Sequence, residues 1–270
     1  MHNHISLDTL LAPLFDPLFR LPFLTGCVLA VLLAITGVFL RLRKEWLSAL
    51  GFSQLASCGA LLAGVLEWPM LLGSFGLGTL GVLLKSLTRS SGSTAPVVML
   101  LFGWAGSILV TANHPASEQA GHAMQDGQLY FTDSTHLYAA LGLAALALLL
   151  LRRFSRWLLI ERLFPDYFHA RGMRDGHYRF AFDLLACAVV VLGTTSLGIM
   201  ANFALCFLPP LIAFQRARHW QHSLWLASAL ALLAHSLAFS LALMLDQPYG
   251  PMCVMVLLAL TALLGRLQKN

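Results

Sequence analysis

The sequence predicts an all-α, polytopic membrane protein of about eight to nine transmembrane helices. Three observations predict it. The first is a shortage of charge. Hydrophobic residues make up 58% of the 270-residue chain and charged residues 11%, against roughly 25% charged in a soluble domain. That is too little charge to solvate a globular surface or to keep a chain unfolded in water. The second is a mean hydropathy of +0.76, which makes lipid the expected solvent. The third is punctuation. Apolar runs of about twenty residues, the length that crosses a bilayer core, are cut by charges and prolines. A single transmembrane domain over residues 1–270 accounts for the length, with no separate soluble domain.

In order along the chain, residues 1–20 hold Asp8, Asp16 and several prolines and lack a basic n-region. They read as an outer N-terminal segment, not a cleavable signal. The spans follow at 21–40, 47–66, 69–87, 95–112, 136–151, 180–198, 199–215, 222–245 and 251–265. The second opens with polar residues, and the ninth is short. The sixth and seventh are parted only by Thr194-Thr195-Ser196 and Gly198. Between spans, the loop 113–135 is polar and carries His114, Glu118, His122, Asp126 and Asp133. The loop 152–179 is the largest polar stretch and the most basic. Its first part, Phe154 to Phe164, predicts a short amphipathic helix along the membrane surface, ended by Pro165. Read from its residues alone, that loop is a lipid anchor or a docking site for a cytoplasmic partner, and both stand.

Orientation comes from the basic residues. An odd number of spans with the N-terminus outside puts every Lys and Arg except Arg20 on the cytoplasmic side, as translocation of basic loops is disfavoured. The net charge of +5 is then a consequence of topology and does not indicate nucleic-acid binding. Cys27, Cys58, Cys187, Cys206 and Cys253 lie in apolar runs without CxxC spacing and read as small buried side chains.

Gly76-Leu77-Gly78-Thr79-Leu80-Gly81 fits GxGxxG, but inside an apolar run with no preceding strand, where small residues serve helix packing. The sequence contains no HExxH, GxSxG or GxxxxGK[ST], hence no recognisable means of hydrolysing a peptide bond or ATP. Ionisable groups inside the membrane are functional candidates because burying them is costly. Asp183, near the inner end of its span, has a local alternative: an ion pair such as with Arg179 one turn earlier. His235 lies mid-span beside Ser236 and Ser240, which share a face at i, i+4. That face is a candidate polar path and His235 a candidate metal ligand. A neutral histidine bonded to a neighbouring helix is the favoured alternative. Ser53, Gln54 and Ser57 make the second span polar near its inner end. His2, His4, His114, His122 and His136 gather outside, where scattered surface histidines are the simpler reading.

Several segments together resemble the membrane permeases of zinc/manganese-type ABC importers, over roughly residues 20–265. They are Gly37–Arg41 leading to Gly51, Gly127–Leu137, Asp166-Tyr-Phe-His-Ala-Arg-Gly172, Leu205–Ala213 with its two prolines, and Asp246-Gln-Pro-Tyr-Gly-Pro251. The resemblance implies an importer permease of the type II-like fold in a bacterial inner membrane, multi-pass, with residues 1–20 periplasmic and the C-terminus cytoplasmic. It implies a homodimer, cytoplasmic ABC ATPase subunits that bind the ATP and Mg, and a periplasmic solute-binding protein. This chain itself would be no enzyme and bind no cofactor. The loop 152–179 would be the ATPase-coupling segment, with Pro165, Asp166, Ala170 and Gly172 at its core. Candidates for the translocation path are Ser53, Gln54, Ser57, His235, Ser236 and Ser240. The family's G-D-x-x-x-H element departs here: Phe52 and Ala56 stand where its Asp and His would hold a divalent ion. Either other side chains supply a site, or the solute is a chelated metal. The alternatives are a secondary transporter and a membrane-embedded enzyme using His235 and Asp183.

Overall fold

The computed structural model describes residues 17–87, 94–163, 176–217 and 219–266. Their regular elements are all helical: α1 (Pro17–Leu42), α2 (Leu47–Val65), α3 (Met70–Leu87), α4 (Thr94–Asn113), α5 (Glu118–Asp126), α6 (Ser134–Leu163), α7 (Gly176–Arg216), α8 (Trp220–Met244) and α9 (Tyr249–Arg266). Backbone amides and carbonyls find no water partners in lipid, so helices satisfy them internally.

Seven of these helices are long and apolar enough to cross a membrane. α7, at 41 residues, would run ~60 Å if straight, twice a bilayer core. It breaks at Gly198, whose φ of 84° and ψ of 163° lie outside helical space. The chain turns back there. The Asn202 amide nitrogen sits 3.2 Å from the carbonyl of Val190, twelve residues earlier, where a straight helix would separate them by ~18 Å. α7 is therefore two antiparallel crossings, divided where the sequence places the boundary. α9 has 18 residues, and its apolar part, Tyr249–Leu264, is shorter than the seven.

Two expectations change. Phe154–Phe164 is not a separate surface helix, because α6 runs without a break from Ser134 to Leu163. No glycine or proline interrupts the Leu/Ala/Arg stretch after Gly142, and these are strong helix formers. The 113–135 segment is not an open loop either. It folds into α5 with 3-10 turns at Pro115–Ser117 and Leu129–Phe131.

The core sits around α7, which packs against α1, α2, α3, α8 and α9, with α3 and α4 both laid on α2. α2 and α3 approach until the backbones of Gly59 and Gly73 touch, and the GxGxxG glycines belong to the same continuous helix. Gly78 meets Cys187 and Gly81 meets Leu55, so two of the three serve packing. Large apolar side chains on α3, α4 and α6, among them Leu72, Leu80, Phe102, Leu109, Leu148 and Leu149, are exposed, as lipid-facing surfaces require.

Candidate functional site

A cavity of about 790 Å³ opens between α2, α4, α5, the second half of α7 and α9. Its two walls differ. One is polar: Gln54 and Ser57 from α2, Ser107 and Thr111 from α4, and Glu118, His122 and Gln125 from α5. Residues three and four apart share a helix face, which places Leu50, Gln54, Ser57 and Leu61 in one row. The facing wall is apolar, with Ile199, Met200, Phe203 and Phe207 of α7 and Val254 and Leu258 of α9. Ser107 and Thr111 donate to carbonyls of their own helix, at 2.8 Å to Gly103 and 3.1 Å to Ser107. Their oxygens keep acceptor capacity towards the cavity.

Of the path candidates, Gln54 and Ser57 line this cavity and the others do not. Ser53 is buried in the opposite direction. Its hydroxyl donates to the Ala49 carbonyl at 2.9 Å and accepts from the Asn202 amide at 2.8 Å. Asn202 also reaches Thr194 Oγ1 at 2.9 Å, so one polar side chain ties the two halves of α7 to α2. Phe52 and Ala56 are fully buried as well, off the cavity face of α2.

His235 is wholly enclosed. Its Nε2–H donates to the Phe23 carbonyl at 3.2 Å, since a carbonyl only accepts, and Nδ1 accepts from the Tyr249 hydroxyl at 2.7 Å. The ring stacks on Phe23 with centroids 5.4 Å apart, and Gly26 leaves the space it fills. A neutral imidazole bonded this way has no lone pair left for a cation. Ser236 and Ser240, on the same helix, are also absent from the cavity lining. Among the described residues no group of three or more His, Cys, Asp or Glu is placed to hold a metal.

Asp183 belongs to a closed ring of charge. Its Oδ1 accepts from Arg43 at 3.1 Å and from Lys85 at 3.0 Å. Lys85 donates to Glu45 at 2.9 Å, and Arg43 lies 3.2 Å from the same carboxylate. The four side chains are between 4% and 11% exposed. The partners come from the end of α1, the α1–α2 turn, α3 and the start of α7, not from one turn of a single helix. Arg43 also lies over the Phe182 ring at 5.1 Å. Two cations alternate with two anions, so the burial is locally neutral. His235 and Asp183 contact opposite ends of α1, at Phe23 and Arg43, ~30 Å apart along that helix, and cannot act on one substrate.

At the α5 end, His136 Nδ1 pairs with Asp133 at 2.7 Å. The bonds from the His136 side chain and backbone hold the Asp133 carboxyl below its usual range. Burial pushes the Tyr130 hydroxyl up to about 12. Pro165, Asp166, Ala170 and Gly172 lie outside the described residues. Sequence reasoning missed Arg43, Glu45, Lys85 and Asn202. A lone Asn in an apolar span, and a Lys just inside a span end, were the available signals.

A family model, the ABC 3 transport family, matches residues 16–268. Among solved structures, PsaBC from Streptococcus pneumoniae in complex with Fab superposes with a TM-score of 0.82 at 19% identity, covering 96% of this chain and 95% of that one. A transporter described as of the metal-chelate ABC type, in an inward-facing conformation, superposes with a TM-score of 0.71 at 16% identity, covering 98% of this chain and 91% of that one. No curated protein matches the sequence.

Proposed function

Because the chain belongs to the ABC 3 transport family, we propose that it is the permease subunit of an ATP-driven importer whose cargo is a divalent metal ion, zinc or manganese, bare or chelated. The observation that carries this reading is the half-polar cavity beside α7, on a fold shared with a metal-chelate type transporter. Its polar wall supplies oxygen and nitrogen groups along a route, and its apolar wall lets cargo slide past without being held. Gln54 and Ser57 are the path residues of the original set that the geometry favours.

Two copies would face each other across such cavities to close a central path. The N-terminus lies outside and the C-terminus in the cytoplasm of a bacterial inner membrane, the orientation that keeps the basic segments inside. Pro165, Asp166, Ala170 and Gly172 dock the chain on a separate ATPase, which supplies ATP and Mg. A periplasmic solute-binding protein delivers cargo to the other side. The charge ring includes Asp183, in the first turns of α7, the helix that follows the docking segment in sequence. It fixes that helix to α1, α2 and α3, so a push on the segment moves these elements together. Co-purification with the ATPase encoded beside this gene tests the assignment. A stable complex that loses ATPase when Gly172 and Ala170 are replaced by bulky residues supports it, and no association in detergent or nanodiscs refutes it.

A further inference from the structure

We propose that Glu118 and His122 form a ligand pair that captures a divalent transition-metal cation at the α5 end of the cavity. The inference rests on the permease reading and specifies where the cargo is first held.

The placement comes from α5. Glu118 and His122 stand at i, i+4 on this nine-residue helix, and both line the cavity. That spacing stacks two side chains on one face, close enough to share one cation. They are the only ionisable side chains in the described lining. The other polar side-chain groups there are neutral: hydroxyls, amides and the Trp104 indole.

Availability separates this pair from its neighbours. Among the described residues, neither the Glu118 nor the His122 side chain has a hydrogen-bond or ion-pair partner. The nearby Asp133–His136 pair is engaged with itself. His235 has both ring nitrogens occupied, and Asp183 is held by two cations.

Rigidity makes the pair a site and not two side chains on a loop. Gly127, at φ 90°, lays its backbone on the Leu197 carbonyl, and Gly198 packs on Gln125 and Asp126. A Cβ on Gly250 would stand 2.7 Å from the Asp126 carbonyl oxygen, and one on Gly121 3.0 Å from Thr111. The end of α5 is thus pinned by backbone to the α7 turn and to α9, and its middle to α4. Ligands on a fixed element keep their geometry.

A carboxylate with an imidazole suits zinc, manganese, cobalt and nickel. Two protein ligands leave coordination positions for water or a chelator and bind weakly enough to release, which a conduction path requires.

Cobalt(II) titrated into the purified full chain in nanodiscs, followed by visible absorption, tests the pair. The wild type is expected to bind with Glu118→Gln and His122→Ala each weakening affinity by at least ~10-fold. Glu118→Asp keeps most of it, and His136→Ala leaves it unchanged. In the reconstituted transporter the same two variants raise the zinc concentration for half-maximal uptake by a similar factor. Equal cobalt affinity in wild type and both variants, or no cobalt binding by the wild type, overturns the inference. Cobalt binding that depends on the pair, in a chain that supports no ATP-driven uptake, upholds the pair and overturns the permease reading instead.

Discussion

The two ends of the bundle treat charge in opposite ways. At the end where α1, α3 and the start of α7 meet, two cations and two carboxylates close on one another, nearly dry and fully paired. At the α5 end, a carboxylate and an imidazole line an open cavity without partners among the described residues. A buried ion that is already neutralised contributes little net stability over an apolar replacement, but removing one member leaves a bare charge in a low-dielectric setting. The ring therefore fixes how helices sit relative to one another. The exposed groups cost little to keep and remain available to a visitor. The lesson is that burial cost alone does not mark a transport site. An ionisable group in a membrane protein serves cargo only where its coordination is unfilled.

Breaking the ring is expected to have the largest effect. Asp183→Asn leaves Arg43 and Lys85 with one carboxylate between them and is expected to cost about 3–5 kcal/mol, read as a lowered melting midpoint in detergent. Asp183→Asn combined with Lys85→Met restores the charge balance and is expected to recover much of the loss. If the double variant melts no higher than the single one, the ring is not acting as a unit.

Next comes the buried histidine, the contrast within the membrane. His235→Ala removes two hydrogen bonds and opens a void against Phe23, for about 2–4 kcal/mol. Uptake per folded transporter should persist, because the side chain is sealed from the cavity. Loss of uptake with an unchanged melting midpoint would restore His235 to the path.

A smaller effect is expected at the turn that carries α5. Gly198→Ala puts a side chain at φ 84° against the Gly127 backbone and is expected to cost about 1–3 kcal/mol. Hydrogen exchange over 113–133 should report loosening of α5 before the bundle melts. The least effect on stability belongs to the polar wall. Gln54→Leu is expected to shift stability by no more than about 0.5 kcal/mol while reducing uptake several-fold. Unchanged uptake would remove α2 from the route.

Much of this fold was legible in the sequence because lipid imposes one rule on every span. Apolar runs of bilayer length must be helices, and the division at Gly198 was visible as a small, polar interruption. The continuous α6 was less legible. Its polar end looks like a surface helix, yet no breaker separates Arg152 from Ala147, and backbone continuity outweighs amphipathicity. The site was half legible. Gln54 and Ser57, singled out by polarity within a span, line the cavity. Ser53, one residue away from Gln54, is equally polar, yet its hydroxyl packs on Asn202 and not on the cavity, since a one-residue step turns a helix by ~100°. Glu118 and His122 stood in a polar stretch that looked like loop, and only its folding into α5 puts them in a row. The partners of Asp183 come from positions about a hundred residues away, which no local pattern encodes.

Transport by the chain together with its ATPase tests the central claim most directly. Proteoliposomes carrying the permease and the ATPase encoded beside it, supplied with the solute-binding protein, are expected to accumulate radioactive zinc or manganese only when ATP is present on the ATPase side. Accumulation that needs no ATPase, driven by an ion gradient across liposomes holding the permease alone, would contradict it.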